Sequence, residues 1–343
     1  MKFGKKEITG LIIAGIAVSV SAPAAHSQDT SDAYSFLNIP TSSHVYGLGG
    51  NNIAIIDDDV TLADQNPALI GPELDKQISV NYMHYMGSGN FAGVRYGMAA
   101  GEHGGWALGL RYLNYGKIEG YDEFGTPTGS FTPSDLVIEG TYSRDINDRW
   151  RGGVNFKMAY SNYEQYSAFA LAVDLGVNYY DEEHDLSFSA VLKNMGGQVK
   201  RFDQRYARVP FDIQLGYMQS IGSSPFMISI TANNLTRWSI PYYDHKDDGE
   251  EILEKQDGFF TNFFRHLIFG LQYQPSEKFY ACVAYNYKTH SDMSAFKSSF
   301  FSGFSLGAGF RVKGFSIGAA YAMPHKSAST LMLNLSCSLG ELL

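Results

Sequence analysis

The chain has 343 residues, of which 44% are hydrophobic and only 18% charged, with a net charge of −9. The acidic balance argues against nucleic acid as a partner, because a basic patch is the footprint of such binding, and two cysteines do not make a disulfide scaffold. After the leader no apolar run reaches the ~18 residues of a membrane-crossing helix, so a helical membrane protein is excluded.

Residues 1–27 read as an export signal. Lys2, Lys5 and Lys6 precede a short apolar stretch, Leu11–Val20, and Ala25-His26-Ser27 fits a small-residue cleavage pattern. Residues 28–75 lack long alternation. They contain the stretch DDDVTLADQNPALI, Asp57 to Ile70, in which Asp58 or Asp59 is expected to cap a short helix. Pro67 removes one N–H and biases Asn66 away from helical geometry, so Asn66-Pro67-Ala68 predicts a turn. The Asp57–Asp59 triplet lacks the alternating ligands and the closing Glu of a calcium loop. A segment this compact and polar fits best as a plug inside a lumen.

From residue 76 to 343 the hydrophobic period is two. Phe169, Leu171, Val173, Leu175, Val177 and Tyr179 alternate with Ala168, Ala170, Ala172, Asp174, Gly176 and Asn178, so one face is apolar and the other small or polar. Such runs predict strands at 76–86, 90–100, 104–117, 134–145, 149–164, 167–180, 184–194, 209–220, 224–235, 263–274, 277–288, 300–312, 313–323 and 328–338. Ordinary strands run about 5–6 residues, whereas strands crossing an outer membrane need about 9–11. Linkers after even-numbered strands are short, and several after odd-numbered ones are long (118–133, 195–208, 236–262 and 289–299). Short periplasmic turns facing longer outer loops produce this parity. A secreted β-sandwich also alternates, but with strands of about half this length. The pattern therefore predicts an all-β fold: a closed antiparallel transmembrane β-barrel of about 14 strands, in the outer membrane of a Gram-negative bacterium, with long loops at the cell surface.

No catalytic residue, cofactor or metal is expected. There is no G-x-S-x-G, no phosphate-binding glycine loop and no paired histidine spacing. His84, His184, His266 and His325 read as rim or surface residues, and Gly303, Gly307 and Gly309 as strand glycines that relieve crowding. Cys282 faces inward and Cys337 outward on strands that are not adjacent, which predicts two free thiols. The long loops offer interface-type anchors: Trp238, Tyr242 and Tyr243 ahead of an acidic run in 236–262, Tyr121, Asp122, Glu123 and Phe124 in 118–133, and Arg201 and Arg205 in 195–208. The plainer reading makes these solvated loops above a ring of interfacial aromatics.

The Asp-rich, then Asn-Pro-Ala, stretch resembles the hatch of the FadL-type fourteen-stranded outer-membrane barrels. The longer segment from Phe36 to Ile70, with Leu110–Phe131, Tyr160–Tyr180, Ala190–Lys200 and Arg208–Tyr217, is similar to the PorQ family of type IX secretion outer-membrane proteins. That resemblance implies a non-enzymatic anchor for a cell-surface attachment complex that fixes secreted cargo to anionic lipopolysaccharide. The implied partners are outer-membrane lipid and lipopolysaccharide, a surface-exposed PorZ-like subunit, a PorU-like sortase and PorV. The alternative is a FadL-like transporter that passes hydrophobic small molecules through the lumen or a lateral opening.

Overall fold

Side chains that alternate between two environments need a wall with two sides, and the chain builds one. The computed structural model describes residues 34–85, 87–121, 124–202, 206–240, 242–245, 251–254, 258–294, 301–325 and 328–341. The expected export signal, 1–27, lies outside them. Strands β1 (Gln77–Tyr85), β2 (Gly89–Ala99) and β3 (Gly104–Asn114) are followed by a small separate hairpin, β4 (Ile118–Tyr121) and β5 (Pro127–Phe131). Next come β6 (Ser134–Asn147), β7 (Trp150–Tyr163), β8 (Tyr166–Asp181), β9 (Leu186–Lys200), β10 (Asp212–Ser220) and β11 (Phe226–Ala232). A second hairpin, β12 (Tyr242–His245) and β13 (Glu251–Glu254), precedes β14 (Leu267–Ser276), β15 (Phe279–Asn286), β16 (Phe304–Val312), β17 (Phe315–His325) and β18 (Ala328–Ser338).

Leaving out the two hairpins, fourteen strands pair antiparallel with their sequence neighbours, and β1 pairs with β18 to close the barrel. Closure gives every strand a partner on both sides, which is what an antiparallel sheet in lipid requires. The alternation sorts as expected. Phe156, Leu171, Leu175, Leu306, Ile317 and Leu333 are exposed on the outer surface, whereas Ala170, Ala172, Asp174 and Asn155 are buried inside.

The described part of the plug runs from Tyr34, with a 3-10 turn at Ser35–Asn38 and one short helix, α1 (Ser43–Gly47), followed by 3-10 turns at Val60–Asp64, Pro67–Leu69 and Pro72–Leu74. Two more helices lie at the long-loop end, α2 (Phe259–Arg265) and α3 (Tyr287–Ser294).

Several expectations are corrected. Residues 263–265 belong to α2, not to the strand predicted from 263, because Asn262 and Arg265 turn inward at helical spacing. The strand predicted to end at 194 runs to Lys200, and the one predicted from 300 starts at Phe304. Gly303 is no strand glycine; it makes the turn into β16 at φ +84°, a conformation that suits glycine. Gly307 does meet the plug: a Cβ there would lie 3.0 Å from the Gly47 Cα. His266 is buried, not on the rim; its ring stacks on Trp238 and bonds the Asn233 and Trp238 carbonyls. His84 and His184 are exposed, and the His325 side chain lies outside the described residues. Cys282 and Cys337 are both free.

Candidate functional site: the plugged lumen and its wall seam

A belt of buried charges crosses the middle of the lumen. Inward positions of successive strands supply it: Arg95 from β2, Arg111 from β3, Glu139 from β6, Lys157 from β7, Asp174 from β8 and Lys193 from β9. Glu139 lies between two guanidinium groups, accepting from Arg111 at 2.5 Å and from Arg95. Arg111 also donates to the plug carbonyl of Ile39 at 3.0 Å, so the belt holds the plug as well as the wall. Lys157 bridges Asp174 at 2.6 Å and the Asn194 side-chain oxygen at 2.8 Å. Buried charges are tolerable only when paired and hydrogen-bonded, and here each carboxylate has a cation.

Beyond the belt, toward the long loops, the lumen holds an apolar chamber. Met83, Phe91, Leu113, Val137 and Met332 line it, and Ala159, Ala170 and Ala172 leave room. Tyr34, Phe36 and Leu37 of the plug fill that space and are themselves buried. The interior of a water-filled porin is polar; here an apolar cluster fills the lumen above the belt, with Asp135 beside it accepting from the Tyr115 and Tyr163 hydroxyls at 2.6 and 3.0 Å.

The wall beside this chamber has a seam. Asp212, the first residue of β10, pairs with Lys193, so among the described residues 195–198 and 200 of β9 pair with β8 alone. Asn194 takes φ +56° and turns the strand there, with its N–H on Asp174 at 2.7 Å. Among the described residues, side chains and not the backbone ladder join 194–200 to 206–211. Asn194 donates to the Pro210 carbonyl at 3.1 Å, and the Gln198 side-chain oxygen accepts from the Ala207 N–H at 2.8 Å. The same two residues reach the plug: Asn194 donates to Asn38 at 2.9 Å and Gln198 to the Tyr34 hydroxyl at 2.9 Å. Seam and plug therefore share their fasteners.

On the short-turn side of the belt the plug motif is bonded into the wall. Asp59, rather than Asp58, makes the cap: it accepts from the Thr61 N–H at 2.9 Å and from Asn334 at 3.1 Å. Asp58 sits at the mouth, where its carbonyl accepts from Gln77 at 3.1 Å. Asn66 accepts from the Ala68 N–H at 2.9 Å and donates to the Ile53 carbonyl and to Ser189, each at 3.0 Å. Pro67 and Ala68 press on Gly153 of β7, where a Cβ would lie 2.7 Å from the Ala68 nitrogen. Asp57 links His44 at 2.8 Å with Arg311 at 3.1 Å, and the other His44 ring nitrogen meets Gln272 at 2.7 Å. Burial pushes the Asp57 carboxyl up, but the His44 bond and the His44 and Arg311 charges outweigh it and hold the group below its ordinary value. Burial, then the neighbouring Asp57 charge, raises both Asp58 and Asp59. Below these residues a polar cavity of about 650 Å³, lined by Asp58, Glu73, Arg149, Tyr180 and Lys278 among others, opens at the short-turn end.

The predicted loop residues do not gather into one site. Tyr121 and Phe124 are exposed at the β4–β5 hairpin, and the Arg201 guanidinium lies 4.7 Å from the Tyr206 ring centre. Trp238 stacks on His266 and contacts Phe259 at 5.7 Å between centres. Tyr242 and Tyr243 fall in β12, with side chains outside the described residues, as are Asp122, Glu123 and Arg205 altogether. Sequence reasoning missed the charge belt, the apolar chamber and the seam; the one available signal was Arg95, Arg111, Glu139 and Lys157 recurring at inward positions.

No protein-family model matches the chain, and no curated protein matches it. Solved structures do. The toluene transporter TbuX of Ralstonia pickettii has a TM-score of 0.50 at 10% identity, covering 88% of this chain and 98% of its own. The toluene transporter TodX of Pseudomonas putida has a TM-score of 0.52 at 10% identity, covering 87% and 97%. A Pseudomonas aeruginosa FadL homologue is also found, at 12% identity and a TM-score of 0.48, covering 87% and 98%. At such identities the likeness is one of fold: this chain has the closed fourteen-stranded antiparallel barrel of the outer-membrane hydrocarbon channels.

Proposed function

We propose that this chain is a transporter of apolar small molecules in the outer membrane of a Gram-negative bacterium, its long-loop end at the cell surface. The observation that carries this reading is the apolar chamber, occupied by Tyr34, Phe36 and Leu37 and bordered by a wall seam held through side chains. An apolar solute substitutes for the plug's own side chains: it gains burial of its surface at about 25 cal/mol per Å². The seam is the entry, because opening it breaks side-chain bonds and no backbone ladder. The charge belt is the barrier below, since an apolar solute cannot replace the partners of Glu139 or Asp174. Passage through it requires the plug to shift as a unit toward the polar cavity at the short-turn end. The toluene transporters TbuX and TodX share the fold and support the solute class.

Uptake of a radiolabelled monoaromatic hydrocarbon by cells carrying the intact chain tests this. The reading expects uptake to exceed that of cells lacking the barrel, and to fall when Ala170→Phe and Ala172→Phe fill the chamber. Equal uptake with and without the barrel contradicts it.

One observation favours a second reading, the anchor. Plug and belt together block the described lumen above the polar cavity, and a blocked barrel suits attachment better than flow. In that reading the barrel holds a type IX secretion attachment complex, with a PorZ-like subunit, a PorU-like sortase and PorV docked on the long loops near lipopolysaccharide. Co-purification of such a subunit from detergent extract, lost on shortening 236–262, together with unaltered hydrocarbon uptake, selects it.

A further inference from the structure

Helix α2 is inside out. Its polar side chains face the protein: Asn262 is 5% and Arg265 1% exposed, with Asn262 donating to the Trp238 carbonyl and Arg265 bonding Asp292 at 2.6 Å. Its aromatic side chains face away: Phe259 is 63% and Phe260 74% exposed, and Phe263 and Phe264 are exposed beside them. A helix in water puts its apolar stripe toward the core and its charges outward. The outer face of the barrel shows the same inversion, for the reason that lipid bathes it.

The two inverted surfaces are continuous. Phe264 of α2 meets Phe269, on the outward face of β14, at 6.3 Å between ring centres, and Tyr287 at 6.0 Å. Tyr287 meets Tyr285, and Tyr285 meets Phe304 at 4.9 Å, so a row of outward rings runs from α2 across β14, β15 and β16. The stretch of wall that leads into the α2 loop is also low. β10 has 9 residues and β11 only 7, against 14 in β7 and 16 in β8. Strand alone does not build the apolar height there that it builds at β7 and β8.

We infer that α2, with Trp238, lies in the plane of the membrane with Phe259, Phe260, Phe263 and Phe264 among the lipid acyl chains. It completes the lipid-facing surface over the short strands β10 and β11 and pins the loop between β11 and β14 to the bilayer. Helices of this kind sit about 5–10 Å into the boundary between headgroups and acyl chains. The occupant is lipid and not a protein, because the patch continues the lipid-facing row and has its polar side chains turned inward. The inference is independent of whether the barrel transports or anchors.

Tryptophan quenching by brominated lipid tests it on the full mature chain, reconstituted in phosphatidylcholine vesicles. The chain has 3 Trp: 106, 150 and 238. In Trp106→Phe/Trp150→Phe, Trp238 is expected to lose more than half its emission when the acyl chains carry bromine near the headgroup, and little to aqueous acrylamide. Adding Phe260→Trp to that background places a second reporter on the most exposed position and should deepen the quenching. A chain retaining only Trp106 (on the outer face of β3) must be quenched by bromolipid in the same vesicles, which establishes that the barrel is inserted. With that control quenched, emission from Trp238 and from the Phe260→Trp chain that acrylamide removes and bromolipid does not would overturn the inference: α2 would then face water or a protein partner.

Discussion

Asn194 donates to the Pro210 carbonyl at 3.1 Å across the stretch of wall where β9 has no β10 partner. Asn194→Gly keeps the φ of +56° and deletes the side-chain bonds to Pro210, Asn38 and Lys157. At about 1 kcal/mol for each such bond, the seam should open more readily without loss of the barrel. Hydrogen exchange should quicken at 195–200 and 206–211 and stay unchanged in β1 to β3. Uniform quickening would mean that the bond stabilises the barrel as a whole and fastens no seam.

Glu139 neutralises two buried guanidinium groups, so Glu139→Gln leaves Arg95 without its counter-charge and Arg111 with Asp64 alone, 3.9 Å away. Removing one member of a buried ionic group costs about 3–5 kcal/mol. Urea unfolding of the vesicle-bound protein should show a loss of that order, partly restored by adding Arg95→Met. An unchanged midpoint would contradict the belt.

Gly153 is the floor on which the plug motif rests, and a methyl there meets the plug's backbone instead of a flexible side chain. Gly153→Ala should displace Asn66-Pro67-Ala68 at an overpacking cost of about 1–3 kcal/mol, leaving the strands paired. Planar-bilayer recordings should then show conductance that the parent chain lacks. Silence from both would mean that the plug tolerates the methyl by a small shift.

The plug's carboxylates predict a pH dependence with a turning point. Asp57 is held below its ordinary value of 3.8, so its contribution to docking is fully present above that value and is lost as pH falls through the lowered one. Asp58 and Asp59 are raised, so the docked plug takes up their protons first and docking gains as pH falls from their raised values toward 3.8. A fluorophore on Asn51→Cys, with Cys337→Ser, should report a urea midpoint for plug release that rises on mild acidification and drops below the ordinary value. Asp57→Asn should remove the drop. A single monotonic trend in the parent would contradict the assignment.

The wall was legible because lipid imposes a strict period of two, and Phe169 to Tyr179 is that period written out. The short turns were legible from their position between runs. The upper part of β9 was not, since Gly196, Gly197 and Lys200 carry no alternation and their pairing with β8 depends on the bend at Asn194. The last turn of α2 reads as strand because Phe263 and Phe264 are apolar at any period; only the inward turn of Asn262 and Arg265 separates the two. Tyr34, Phe36 and Leu37 are too few to show a period, and what buries them is a chamber made by Ala159, Ala170 and Ala172 far along the chain. The Asn66-Pro67 turn was readable from local chemistry, whereas the link from Glu139 to Arg95 and Arg111 exists only after the barrel closes.

The central claim is that one side of the wall meets lipid and the other meets the plug. Spin labels placed one at a time from Ala168 to Val177 of β8 in vesicles test it most directly. The account predicts oxygen collisions that are high at Phe169, Leu171, Val173, Leu175 and Val177 and low between them, with little access for a water-soluble nickel complex at either set. Equal exposure of both sets to the nickel complex, with no period of two, would contradict it.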